Sequence, residues 1–153
     1  MIRKATLEDI NNIANIELKS GYKWGMNKTN GLKEAKKIIN EVLTNPKNYC
    51  CYILEKNNQK IGYFSIHIKK NICYIGFFAV KKSYHRKGFG KLLMKKIIML
   101  ANQNKCKSIE LSCWAKNFSA LRLYNKFSFY ITDIKRKHYP NGDDKLMMEK
   151  KLK

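Results

Sequence analysis

The apolar positions of the chain change period several times, and each change marks an element. Ile2–Ala5 reads as a short first strand, and Thr6 with Asp9 three residues later forms a capping-box start for a helix carrying Ile10, Ile13, Ala14 and Leu18. Gly21–Gly31 follows as a loop with two exposed aromatic candidates, Tyr22 and Trp24. Leu32, Ala35, Ile38, Ile39, Val42 and Leu43 return to helical spacing, and Pro46 bars the helix from continuing.

The pattern then turns to strands. Tyr49–Glu55, Lys60–Lys69 and Ile72–Val80 are rich in aromatic and β-branched residues and are separated by the polar turns Asn57-Asn58-Gln59 and Lys70-Asn71, which predicts an antiparallel meander. In the second strand Phe64, Ile66 and Ile68 share one face, with Tyr63, Ser65 and His67 on the other. The third is apolar throughout and is expected at the centre of the sheet. Phe89, Leu92, Leu93, Ile97, Leu100 and Ala101 predict an amphipathic helix running to about Asn104. Ile109, Leu111 and Cys113 alternate as a strand, and Ala120, Leu121, Leu123, Tyr124 and Phe127 mark another helix. Phe129–Ile134 and Leu146–Lys151 close the chain as two strands joined through the turn residues of Tyr139–Asp144. The predicted order is βααβββαβαββ, one mixed α+β domain over residues 1–153, without internal repeats.

Composition narrows the class. The 153 residues are 44% hydrophobic and 12% aromatic, enough for a core in a chain of a size that hides roughly 68 to 70% of its unfolded surface. Disordered and collagen-like chains are excluded. The longest apolar run, Ile72–Val80, is too short to span a bilayer, and no cleavable leader opens the sequence, so a cytoplasmic protein with no membrane partner is expected. Five cysteines (Cys50, Cys51, Cys73, Cys106, Cys113) make an odd count without a CxxC pair, and His67, His85 and His138 are scattered. Reduced, mostly buried thiols and no metal site are expected.

Charge adds a second constraint. With 32 Lys plus Arg against 11 Asp plus Glu, the formal charge is +21. Such a balance admits a basic nucleic-acid-binding module. It also fits plain composition, because Lys far outnumbers the four arginines (Arg3, Arg86, Arg122, Arg136) and Asn and Ile are abundant. No Asp or Glu occurs from Lys56 to Ile109, so this stretch has room for an anion.

The chemistry concentrates in FFAVKKSYHRKGFGKLLM, residues 77 to 94, where a buried strand gives way to a basic loop and Gly88-Phe89-Gly90 opens a helix. Glycines allow close approach of the backbone to a ligand, and the first N–H groups of a helix face an anion with unsatisfied donors. Short glycine motifs also mark ordinary turns. The spacing is neither GxGxxG nor GxxxxGK[ST], which removes the main support for a Rossmann or P-loop nucleotide site.

His85-Arg86-Lys87-Gly88-Phe89-Gly90, taken with Asn117, Ala120, Tyr124 and Phe129 downstream, resembles the GNAT family of N-acetyltransferases. That family carries Q/R-x-x-G-x-G/A and then N-x-x-A-x-x-x-Y-x-x-x-G-F. His85 stands for the usual Gln or Arg, and Ser128 for the usual Gly. The resemblance covers essentially the whole chain and implies the GNAT fold, a central, mostly antiparallel twisted sheet flanked by helices.

It also implies acetyl-CoA as cosubstrate, its pantetheine paired to the backbone of Phe78, Ala79 and Val80 and its pyrophosphate on the loop Arg86, Lys87, Gly88, Phe89, Gly90 and Lys91. Asn117 would touch the cosubstrate, and Tyr124 would protonate the departing thiolate. The family's ribosomal-protein N-terminal acetyltransferases carry a Glu five residues before the motif Asn, where this chain has Ser112. Glu110, on the same strand face, and Tyr74, which matches a strand tyrosine of some eukaryotic N-terminal acetyltransferases, are the candidates for handling the amine proton. The tail from Lys135 resembles the R-x-Y-Y-P…D-A-x-x-M ending of that branch, which puts His138 and Tyr139 at a peptide groove. The implied reaction is direct attack of a primary amine on the acetyl group in a ternary complex. A protein N-terminus is the expected acceptor and a polyamine or other small amine the alternative, with the enzyme a monomer or homodimer.

Overall fold

The computed structural model describes residues 1–20, 28–46 and 49–153. Its elements are β1 (Ile2–Lys4), α1 (Ile10–Lys19), α2 (Lys28–Thr44), β2 (Tyr49–Lys56), β3 (Gln59–Lys69), β4 (Ile72–Val80), α3 (Phe89–Gln103), β5 (Ser108–Trp114), α4 (Phe118–Lys126), β6 (Tyr130–Lys135) and β7 (Lys145–Lys151). The order agrees with the sequence expectation. Of the loop expected over Gly21–Gly31, residues 21 to 27, with Tyr22 and Trp24, lie outside the described residues, as do the side chains of Leu32, Ala35 and Ile38. The second helix begins at Lys28, ahead of Leu32, because its first turn is polar and carries no apolar period to announce it.

The strands form one mixed sheet in the order β1-β2-β3-β4-β5-β7-β6. Every neighbouring pair is antiparallel except β4 and β5. That parallel pair holds only where Ile72, Cys73 and Tyr74 face Ser108, Ile109 and Glu110. Beyond it the two strands separate, and β4 breaks register with β3: Ile66 faces Ile75 but Ser65 faces Phe77, so Gly76 is an extra, bulged residue. Ser65 is buried and its hydroxyl accepts the Phe77 N–H at 3.0 Å, which satisfies the bulge. A Cβ on Gly76 would stand 3.0 Å from that oxygen. The bulge and the divergence of β4 from β5 open the middle of the sheet.

Helices cover both faces. α3 packs Leu93, Met94, Ile97 and Ala101 with Phe64, Ile66, Ile109 and Leu111 in the larger core. Leu92, expected inside, is 46% exposed. At 100° per residue it stands roughly 150° from the centre of the stripe that those four buried residues define. On the other face α1 and α2 bury Ile13, Ile16, Ile39 and Val42 against Ile53 and Tyr63, while Leu18, also expected inside, is exposed. The Thr6–Asp9 box is present, with the Asp9 carboxylate accepting the Thr6 N–H at 2.9 Å, and it heads a single 3₁₀ turn before α1. Asp9 is buried and gripped through both oxygens by Arg3, at 2.7 and 2.9 Å, and Arg3 also donates to Glu55 at 2.7 Å. This bidentate pair holds the Asp9 carboxyl below the usual carboxylate range and ties β1 to β2 and α1. Among the described residues, no helix is long and apolar enough to cross a membrane.

Candidate active site

Two cavities meet where β4 and β5 part. One is a groove of about 520 Å³ that runs along the end of β4, under the start of α3 and beside α4. The other is a cleft of about 500 Å³ in the gap between β4 and β5, closed at one end by the β6–β7 loop. Phe78, Asn117 and Tyr124 line both.

The groove is built from the glycine segment. Lys81 donates its N–H to Ile61 O at 2.8 Å, and strand peptides alternate in direction, so Phe78 and Val80 turn their peptide groups away from β3 and toward the groove. Gly88 caps α3 in the left-handed region at φ 84°, and an added Cβ there would meet nothing within 4 Å. The first bond of α3 runs from Leu92 N–H to Gly88 O at 3.0 Å, which leaves the N–H groups of Phe89, Gly90 and Lys91 without a carbonyl from their own helix. The first turn of α3 has no acidic residue and carries Lys91, the reverse of what a helix N-terminus ordinarily favours and suited to an anion lying there. Arg86, Lys91, Arg122 and Lys126 all line the groove.

His85 does more than fill the first motif position. Its Nε2 lies 2.7 Å from Val80 O, so the ring donates to the last carbonyl of β4 and pins the loop to the strand end. Lys87 and Phe89 turn away from the groove. Lys87 donates to Ser83 O at 3.0 Å and lies over the Tyr84 ring, and Phe89 packs edge-on to Tyr84 beneath Lys56. Their backbones, not their side chains, belong to the loop. Gly90 is also closely packed, since a Cβ there would sit 3.2 Å from Leu123 Cδ2 on α4 and that side chain would have to give by a few tenths of an ångström.

α4 carries the residues common to both cavities. Asn117 caps it, with Oδ1 accepting the Ala120 N–H at 3.0 Å. Tyr124 is 6% exposed and is held edge-on to Phe78 and tilted against Phe129, at ring separations of 6.3 and 5.7 Å. Ser128, just past the helix, takes the left-handed φ of 61° that a glycine ordinarily fills, and its N–H reaches Asn125 O at 2.9 Å.

The cleft draws on more distant segments. Tyr139, Pro140 and Asn141 of the β6–β7 loop face Leu111, Ser112 and Trp114 of β5 across it. Asp143 fastens the two: it accepts the Trp114 indole N–H at 2.9 Å and the Asn141 amide at 2.7 Å, and it pairs with Lys116 at 2.5 Å. Lys116 foremost, then Trp114 and Asn141, hold its carboxyl below the usual range. His138 is exposed beside the Tyr139 ring and does not line the cleft. Glu110 and Tyr74 do not line it either. They are register partners in the last pair of the parallel stretch, two residues before Ser112 on β5, and Tyr74 continues an aromatic row with His67 and Tyr49. Trp114, Pro140 and Asn141 as cleft walls, and Arg122 and Lys126 as groove cations, went unrecognised in the sequence. The alternation of β5 up to Asn117 points to Trp114, and the spacing of four between Arg122 and Lys126 puts them on one side of α4.

The mixed sheet is thus split at its centre, and a cationic groove and a second cleft meet there at a buried tyrosine. Residues 11–129 match the acetyltransferase (GNAT) family, and the chain belongs to that family of N-acetyltransferases. A protein of Bacillus subtilis (strain 168) that carries the provisional name ribosomal protein bS18-alanine N-acetyltransferase is 29% identical over 150 residues, covering 96% of this chain and 92% of its own length. The fold is also that of the ribosomal-protein-S18-alanine N-acetyltransferase of Escherichia coli, with a TM-score of 0.85 and 20% identity over 99% of this chain and 93% of that one. The PaiA N-acetyltransferase of Thermoplasma acidophilum, solved in complex with coenzyme A, superposes with a TM-score of 0.83 at 18% identity, over 99% of this chain and 98% of that one.

Proposed function

We propose that this enzyme transfers the acetyl group of acetyl-CoA to the α-amino group of a protein N-terminus. The observation that carries the reading is that the cationic groove and the cleft meet at Tyr124. The groove fits a coenzyme with a phosphate-rich end: open space at Gly88, the unclaimed N–H groups of Phe89, Gly90 and Lys91, and the cations Arg86, Lys91, Arg122 and Lys126 suit the pyrophosphate. The outward peptide groups of Phe78 and Val80 suit the pantetheine arm as an added strand. Bound there, acetyl-CoA supplies an acetyl group activated as a thioester.

The amine arrives through the cleft. Its nitrogen forms the new C–N bond as the C–S bond breaks, and the Tyr124 phenol gives its proton to the leaving sulfur. Asn117 holds the start of α4 and offers its amide to the coenzyme. Tyr139 lines the peptide's path, with His138 at the rim. An α-amine has a reference pKa near 8 against about 10.4 for a lysine, so an N-terminus needs little help to become neutral. Glu110, beside Tyr74, is the carboxylate nearest Ser112 by strand register and takes the amine's proton through water. Glu110→Gln therefore lowers kcat/KM for the peptide while leaving acetyl-CoA binding unchanged.

Thermal melts separate this reading from a nucleic-acid-binding module. A ligand that binds only the native state adds about 2.7 kcal/mol at 100 times its Kd. Stabilisation by acetyl-CoA, with release of CoA thiol in the presence of peptides, is the expected result. A salt-sensitive shift with duplex DNA and none with acetyl-CoA would overturn the assignment.

A further inference from the structure

From the walls of the cleft, and resting on the reading above, we infer that the preferred acceptor is a peptide whose first residue has a large apolar side chain. Thirteen described residues line this cleft and none is Asp, Glu, Lys, Arg or His, in a chain where 28% of residues are charged. Ile75, Phe77 and Phe78 form the β4 wall, Leu111 and Trp114 the β5 wall, and Pro140 the end. Burial raises the Cys113 thiol to about 12 and pushes the Tyr139 phenol above its ordinary value.

Three acceptor classes respond differently to such walls. A polyamine would bring further ammonium groups into a cleft without a countercharge, and an unpaired charge in apolar surroundings is strongly disfavoured. An alanine-first peptide would present one methyl group to a cavity of about 500 Å³ and leave most of the apolar wall uncovered. A Leu, Met or Phe first side chain covers more of it. Ser112, Asn117 and Asn141 add uncharged polar groups to the walls.

The test is a panel of hexapeptides identical from the second residue onward and beginning with Leu, Met, Phe, Ala, Ser, Lys or Glu, with spermine alongside. Release of CoA thiol is followed and kcat/KM compared. Leu-, Met- and Phe-first peptides are expected to exceed the Ala- and Ser-first ones by roughly tenfold or more, the discrimination a few buried methylenes provide, and the Lys- and Glu-first ones by more. An Ala-first peptide equal to or better than the Leu-first one would overturn this inference and leave N-terminal acetylation standing. Acetylation of spermine and of no peptide would overturn both. Ser112→Glu supplies a second measurement, because position 112 is exposed and tolerates the change. A carboxylate in the cleft is expected to lower the Leu-first to Lys-first ratio by roughly tenfold. A new base would raise both rates and leave that ratio alone, and an unchanged ratio would count against the cleft as the first-residue site.

Discussion

The groove and the cleft are nearly equal in volume and share three residues, yet they are built in different ways. The groove comes from two short stretches of chain, residues 78 to 91 and 117 to 126, apart from Ser20, and it carries backbone donors and four cations. The cleft gathers side chains from β4, β5 and a loop some 65 residues beyond Ile75, and it carries no charged side chain. A site that binds by backbone and charge can be written in one local motif, because the glycines and the helix start bring the donors with them. A site that recognises shape has to be assembled from distant walls. Tyr124 lines both, so under the proposed mechanism replacing it is the most damaging single change. Tyr124→Phe removes one hydroxyl and keeps the ring packing against Phe78 and Phe129. Turnover should fall by about 10² to 10⁴-fold with little change in the KM for acetyl-CoA, since a proton donor acts only as the thiolate leaves. Full turnover in steady-state kinetics would make Tyr124 a packing residue.

The next largest effect separates the groove from the cleft. Gly88→Val puts a branched side chain at φ 84° and into the open space that the groove needs. Acetyl-CoA affinity, read by calorimetry, should fall by roughly a hundredfold or more. The folded content, followed by circular dichroism, should persist. Gly90→Val is a poorer probe of the same idea, because its side chain would also press on Leu123 of α4. If folded Gly88→Val binds acetyl-CoA normally, the glycine makes only a turn.

Salt sharpens the contrast without any mutation. The groove's cations Arg86, Lys91, Arg122 and Lys126 act on an anionic ligand through charge, which screening weakens. Raising salt from about 0.05 to 0.5 M should reduce acetyl-CoA affinity roughly three- to tenfold. The KM of an uncharged-first-residue peptide should stay level or improve. Equal salt dependence of the two would erase the electrostatic distinction between the cavities.

The same contrast explains what was legible before the structure. Most elements were readable from their apolar period, because packing against one sheet imposes 3.6 on helices and two on strands, while β4 showed as an unbroken apolar run and β6, exposed along its length, only as β-favouring residues before a turn. Errors fell at the edges of the stripes. Leu18 and Leu92 are apolar but stand off the buried arc, while Ile16 and Met94 complete it. The 28–31 turn of α2 is too polar to announce a helix. In the groove, the sequence motif and the open geometry coincide at Gly88, whereas Lys87 and Phe89, equally part of the motif, point elsewhere. The cleft was read poorly for a physical reason. It depends on Gly76 bulging out of β4 and on β4 leaving β5 after Tyr74, and neither the bulge nor the divergence has a period that a one-dimensional pattern can show. Trp114, Pro140 and Asn141 become walls only once those strands part.

The smallest expected effect concerns α4, the helix that both cavities share. Ser128 ends it at φ 61°, where an L-residue crowds its own carbonyl and a glycine does not. Its N–H already reaches Asn125 O, and the Phe129 N–H reaches Tyr124 O at 3.1 Å, so the cap is formed whatever the side chain. Ser128→Gly relieves the crowding but also frees the unfolded chain, which offsets part of the gain. The net stabilisation should be about 0.5 to 1 kcal/mol, a rise of about 2 to 3 °C in Tm for a chain of this length. Because the hydrogen bonds that position Tyr124 and Phe129 are unchanged, kcat and both KM values should stay at the parent level. A stabilised variant with lowered kcat would show that the strained turn holds the Tyr124 phenol in register between the groove and the cleft. A destabilised one would show that the serine side chain makes a contact worth more than the backbone crowding it imposes.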